Sequence, residues 1–341
     1  MRLSAPGVRI ADVETCDFAL MPCLDTADLL RAALPGRWER YLASAVSRRL
    51  IAALGVERRY LTQLPGRTPD PARLNAMDLA RSAVARLQAR RLAGLTDLDA
   101  LIFVSSSNPR PVNSQAALLA DALGISASCM DLKAGCSGGV LGVMQAALLI
   151  QAGCERVLVV MAENLSQLTS PHDLRMLLTV GDGAACVLVE KAQGPGFLSM
   201  LHGTEPAWAG AMAVGAPFPP TGPSARYVYE VADATAAREF LGAKWRELYR
   251  ESLVASGTAG KDLAQCAFHQ THLAQVDGLV KDLGLDPARV ARVVQDHGNM
   301  GSPTFAVALA RCFAGIAPGQ RYLLQAVGGG ISWCAIVAEH C

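Results

Sequence analysis

A chain of 341 residues, 51% of them hydrophobic, can bury a large core, and that length fits two domains or one domain built from two similar halves. A formal net charge of +1 excludes a global pull toward nucleic acid or an acidic membrane, and the excess of Arg over Lys, beside abundant Ala, reads as compositional bias. The ten cysteines form no CxxC pair and no Cys/His cluster at metal-ligand spacing, so neither a structural zinc nor any other cofactor is expected. No secretory signal opens the chain. The longest apolar run, 140–152, is broken by Gln145 and Gln151 and is too short to span a bilayer, so a reduced, cytoplasmic protein follows.

In chain order, roughly the first hundred residues read as helices and connections, with helical spacing in "DTADLLRAAL" and "NAMDLARSAVARLQARRL". "DALIFVSSS" reads as a buried strand, and "NSQAALLADALGI" as a helix with Ser114 its N-cap and Gly124 its stop. "SASCMDLKAG" is a second strand, Cys136 opens an apolar helix, "RVLVVMAEN" is a third strand, and "GDGAACVLVEKA" is a glycine turn feeding one more. This alternation predicts a largely parallel, covered sheet. The Pro/Gly/Ala-rich stretch 205–225 reads as a long surface loop or lid. The alternation then restarts: a helix over 231–257, a strand ending in "FHQTH", the helix "LAQVDGLVKDLGL", the turn "DHGNMGS" opening "TFAVALARCFAGI", and two last strands around "GGG". Two halves, 1–195 and 196–341, share this order, which predicts an internal duplication.

Candidate chemistry concentrates at three turns. Cys136 lies between Gly135 and the pair Gly138/Gly139 at the mouth of an apolar helix. Unpaired N–H groups and the helix dipole should depress its pKa there, and a thiolate is suited to taking an acyl group from a thioester. The competing reading is a buried cysteine that merely packs. His269 and His272 stand at a strand end, where parallel sheets expose functional groups, although a lone histidine there is more often structural. Asn299, next to Gly298, most simply adopts a left-handed turn conformation.

Taken together, "DLKAGCSGG", "GDGAACVLVE", "HQTH", "DHGNMGS" and "AVGGGISW" resemble, in order and approximate spacing, the β-ketoacyl-acyl carrier protein synthase III branch of the thiolase superfamily. The resemblance runs from about residue 95 to the end. It implies an α/β fold, a thiolase-like five-layered α-β-α-β-α sandwich from two duplicated halves, and a homodimer. It also implies that Cys136 accepts the acyl group, and that His269 and Asn299 hold the second thioester and stabilise its enolate. Each donor of that pair is worth about 3 kcal/mol, and the N–H groups of Cys136 and Gly329 form the first oxyanion hole. Asp182, in a Gly-Asp-Gly turn, needs only a structural explanation.

Several positions depart from the family pattern. Arg49 and Ala53 stand where an adenine clamp is usual, and Leu174 replaces a nucleotide-contacting Arg with Arg175 beside it. The helix after the histidines keeps Lys281 but has Ala274 and Asp282, which weakens steering of an acidic carrier protein. His272 replaces an amide, and Gly139 replaces a bulky residue and would widen an acyl pocket. These features predict an acyltransferase of a specialised pathway that uses acyl-coenzyme A or acyl carrier protein thioesters and condenses them with a malonyl-type extender. The alternative passes the acyl group to an oxygen or nitrogen acceptor. A non-catalytic subunit would be marked by loss of the cysteine, which is present.

Overall fold

Strand Ala100–Val104, ALIFV, is buried at every position, as a strand covered on both faces must be. It lies in a five-stranded sheet ordered Val8–Thr15, Asp182–Lys191, Arg156–Asn164, Ala100–Val104, Ser128–Leu132. A second five-stranded sheet runs Arg2–Ala5, Phe197–Thr204, Ser332–Glu339, Arg321–Gly328, Leu263–Phe268. The computed structural model describes residues 1–67, 70, 72–91, 94–95, 97–108, 112–210, 212–214, 229–231, 234–329 and 331–341.

The helix Gly138–Gln151 is apolar nearly all round and buried along most of its length, which places it inside rather than on the surface. With helix Thr304–Cys312 it packs between the two sheets, and a single core cluster joins both helices to strands of both sheets. Helices Ala76–Arg90 and Gln115–Leu123 cover the far face of the first sheet. Helices Ala234–Ser256 and Leu273–Asp282 cover the far face of the second. The result is the expected α-β-α-β-α sandwich. Local signals behave as read: the Ser114 hydroxyl accepts the Ala117 N–H at 3.2 Å, and Gly124 closes the helix at φ +65°.

Three expectations are corrected. The sheets are mixed, not largely parallel: Asp182–Lys191 runs antiparallel to both neighbours, and in the second sheet only Leu263–Phe268 and Arg321–Gly328 are parallel. The first hundred residues contain strands as well as helices, and Arg2–Ala5 crosses into the second sheet beside Phe197–Thr204. Within 205–225, Pro206–Trp208 is a short 3-10 turn and Met212–Val214 pairs with Tyr229–Val231. Residues 211 and 215–225 of that predicted loop, and Gly330 of the "GGG" turn, lie outside the described residues.

Candidate active site

Strand Ser128–Leu132 leads into one 3-10 turn, Gly135–Ser137, that runs straight into helix Gly138–Gln151. Cys136 therefore sits in the turn ahead of the helix. Gly135 has φ +56°, and a Cβ there would stand 2.4 Å from the Gly329 carbonyl oxygen, so a side chain is excluded. Ser137 ties the turn to the other half of the molecule. Its hydroxyl donates to the Ala134 carbonyl at 3.0 Å and lies 2.5 Å from the Ser332 hydroxyl.

A cavity of about 580 Å³ opens over this turn, and Cys136, His269, Asn299 and Gly329 all stand in its wall, with His272. The thiol does not have the depressed pKa expected at a helix mouth. Burial pushes it up to about 11 and the Glu163 charge adds to this, while the nearby backbone N–H groups of Gly329 and Cys136 oppose it. Loss of solvation outweighs the favourable dipoles.

His269 follows strand Leu263–Phe268 and extends its ladder, its N–H donating to the Gln325 carbonyl at 2.9 Å. The ring is fully buried, and neither nitrogen has a partner in hydrogen-bonding geometry. Burial pushes its pKa down to about 4, only partly offset by the nearby Gly301 backbone, so the imidazole is neutral at pH 7. Gln270 fixes the strand end from behind, accepting the N–H groups of Val293 and Val294 at 2.9 and 3.1 Å.

Asn299 reaches the cavity from a turn bolted to residues 179–181. Its N–H donates to the Thr179 carbonyl at 2.7 Å, and its carbonyl accepts from Gly181 at 2.9 Å. Its Oδ1 accepts the Gly301 N–H at 2.9 Å, which leaves the amide NH₂ as the end available to the cavity. The positive φ expected at Asn299 belongs instead to Gly298 and Gly301, at +71° and +70°.

The other expected site residues divide. His272 lines the cavity and caps helix Leu273–Asp282, its Nδ1 accepting the Gln275 N–H at 3.1 Å. Arg175 is exposed on the short helix Leu174–Thr179 and does not line the cavity, whereas its neighbour Met176 does. Gly139 is absent from the wall too. A Cβ on it would meet the Ser302 carbonyl oxygen at 2.4 Å and Phe305 Cε1 at 2.6 Å, so the missing side chain lets two helices approach and widens no pocket.

Sequence reasoning overlooked Glu163, at the end of strand Arg156–Asn164 and buried in the cavity wall. Its carboxylate accepts the Ser107 hydroxyl at 2.6 Å, the Ser302 hydroxyl at 2.9 Å and the Ser106 N–H at 3.0 Å. An acid closing an apolar strand at its C-terminal end was the signal that could have found it.

Models of 3-oxoacyl-[acyl-carrier-protein (ACP)] synthase III match this chain over residues 130–206, and its C-terminal part over residues 253–340. The chain is 32% identical over 287 residues to beta-ketoacyl-[acyl-carrier-protein] synthase III 2 of Streptomyces coelicolor, covering 82% of this chain and 81% of that protein. It is 30% identical over 278 residues to the synthase III of Deinococcus deserti, covering 76% and 75%. Among solved structures, that of the Thermus thermophilus synthase III matches with a TM-score of 0.82 at 26% identity, covering 98% of this chain and 99% of that one. The priming ketosynthase of the R1128 polyketide pathway matches with a TM-score of 0.83 at 21% identity, covering 99% and 97%. That likeness speaks to the fold. Among the described residues, no helix is long and apolar enough to cross a membrane.

Proposed function

Because this chain belongs to the 3-oxoacyl-[acyl-carrier-protein] synthase III family, we propose that it builds a carbon–carbon bond from two thioesters by way of an acyl-Cys136 intermediate, in a specialised pathway. The observation that carries the reading is that Cys136, His269, Asn299 and Gly329 line one cavity, with the Gly328–Gly329 turn packed directly on Cys136.

In the first step the Cys136 sulfur attacks the donor's thioester carbonyl. A new carbon–sulfur bond forms, the donor's own breaks, and the thiol proton departs with the leaving thiol. The backbone N–H groups of Cys136 and Gly329 stabilise the oxyanion that develops on the carbonyl. In the second step a malonyl-type thioester enters and its carbonyl oxygen meets His269 and the Asn299 NH₂. Loss of carbon dioxide leaves an enolate, whose carbon attacks the acyl carbonyl. The Cys136 thiolate leaves and takes up a proton, restoring the resting thiol. A neutral His269 suits this step, because it can donate a hydrogen bond to the enolate oxygen.

The donors would be acyl-coenzyme A or acyl carrier protein thioesters, and the working form a cytoplasmic homodimer. A second reading rests on the two unpartnered nitrogens of His269, which would serve a general base that delivers the acyl group to an oxygen or nitrogen nucleophile.

Intact-protein mass spectrometry after incubation with acyl thioesters, followed by malonyl thioester, tests both. The expected result is a mass gain at Cys136 that malonyl discharges with release of carbon dioxide. Discharge by an alcohol or amine alone supports the second reading, and labelling that persists in Cys136→Ala overturns the nucleophile.

A further inference from the structure

The cavity over Cys136 has a largely apolar wall that includes Leu165, Met176, Leu241 and Trp245. Glu163, the acid in that wall, is already engaged by serine hydroxyls and N–H groups. Lys133 does not fit this pattern. It lines the same cavity, is exposed to solvent, and among the described residues has no acidic partner and no hydrogen bond. Of the other lysines, Lys191 pairs with Glu155 and Lys244 with Glu247, while Lys261 and Lys281, which also form no ion pair among the described residues, do not line this cavity. A solvent-exposed lysine bordering a largely apolar cavity, with no acidic partner among the described residues, offers its charge to an anion entering that cavity.

Position narrows what that anion is. Lys133 precedes Cys136 by three residues on the connection out of strand Ser128–Leu132. Three backbone steps of about 3.8 Å hold the two Cα atoms within about 11 Å. An acyl chain attached to the sulfur therefore begins within the span of a lysine side chain. The phosphate of a pantetheine arm stands at the far end of that arm and is much more remote.

We propose that Lys133 is a specificity-determining residue that pairs with a carboxylate on the acyl group carried by Cys136, so that the preferred donor is a half-thioester of a dicarboxylic acid. This rests on the reading of Cys136 as the acyl carrier. A neutral donor of equal length leaves the ammonium uncompensated beside apolar chain, and selectivity arises from that difference.

The test is the rate of Cys136 acylation by glutaryl- and succinyl-coenzyme A, each against valeryl- or butyryl-coenzyme A of matching length, followed by intact mass. The wild-type protein should favour the carboxylated donor by up to about fivefold, the upper range for an ion pair made by an exposed lysine. In Lys133→Met that preference should vanish, and Lys133→Arg should keep most of it. An unchanged ratio in Lys133→Met overturns the proposal, as does a wild-type preference for the neutral donor. Native mass spectrometry on the same variants reports assembly. If Lys133→Met separates copies of the chain and slows all donors alike, the lysine serves an interface and the proposal fails. If neutral donors label Cys136 and carboxylated ones do not, only this inference falls. If no thioester labels Cys136, the reading beneath it falls as well.

Discussion

Gly328 packs directly against Cys136: a Cβ built on the glycine would lie 2.5 Å from the cysteine's Cβ and 3.2 Å from its backbone nitrogen. Gly328 ends a strand of the second sheet and Cys136 follows a strand of the first, so the contact sets how the hairpin carrying Gly329 meets the turn carrying Cys136. Gly328→Ala must push the hairpin tip and the turn apart, and the Gly329 N–H moves with the tip. Loss of one oxyanion donor costs about 100-fold or more in rate. Cys136 acylation should slow by that factor while the far-ultraviolet circular dichroism stays native. A variant that acylates at the wild-type rate would separate the contact from the chemistry.

The thiol itself gives a second test. With its pKa pushed up to about 11, Cys136 in the free protein is a protonated thiol at pH 7. Alkylation at Cys136 by iodoacetamide, followed by peptide mapping, should keep rising with pH beyond 9. A rate that levels off below pH 7 would show an activated thiolate and contradict the burial argument. Glu163→Gln removes a negative charge that favours the protonated thiol and should move the profile to lower pH.

Much of this site was legible because its signals are local. A cysteine between glycines ahead of an apolar run, a histidine closing a strand and an asparagine beside a glycine are each written in a few consecutive residues. What stayed hidden depends on tertiary contacts. The strand Val8–Thr15 was missed because its register shifts between Ile10 and Asp12, which breaks the alternation that marks a half-buried strand. The raised pKa of Cys136 comes from its burial in the folded site and from Glu163, which stands 27 residues further along the chain. Gly139 was misplaced for the same reason: only the packing of Phe305 and Ser302 against it reveals that the vacant volume is already filled. Glu163 showed no purpose until the chain brought Ser105, Ser106, Ser107 and Ser302 around it.

Acid should destabilise the protein through one buried histidine and one partly buried one. Burial holds His269 and His297 down at about 4, against an ordinary value near 6.5. Between those values the folded state binds fewer protons than the unfolded chain, so stability rises with pH and is lost as pH falls from 6.5 toward 4. At pH 5 each histidine forfeits about 2 kcal/mol relative to pH 8. Urea denaturation at the two pH values should show this loss, and His269→Asn should recover roughly one histidine's share of the difference. An unchanged difference in that variant would mean that His269 is already charged, or solvated, in the folded state.

Asp182 should matter for the fold and not for the reaction. It is fully buried at the start of strand Asp182–Lys191 and accepts four hydrogen bonds. The Thr62 N–H and hydroxyl both lie at 2.8 Å, the Ser166 N–H at 2.9 Å and its hydroxyl at 2.6 Å. It thereby joins the segment after Arg58–Tyr60 to the loop leaving Arg156–Asn164. Asp182→Ala strands two buried N–H groups, each costing about 1–3 kcal/mol, while the hydroxyls can turn to other acceptors. A loss of about 3 kcal/mol or more in urea unfolding is expected, with Asp182→Asn between it and the wild type because an amide retains one acceptor oxygen. Asp182 is not in the cavity wall, so the folded fraction of either variant should still acylate Cys136 near the wild-type rate. A variant that keeps its stability but loses acylation would give the carboxylate a chemical role.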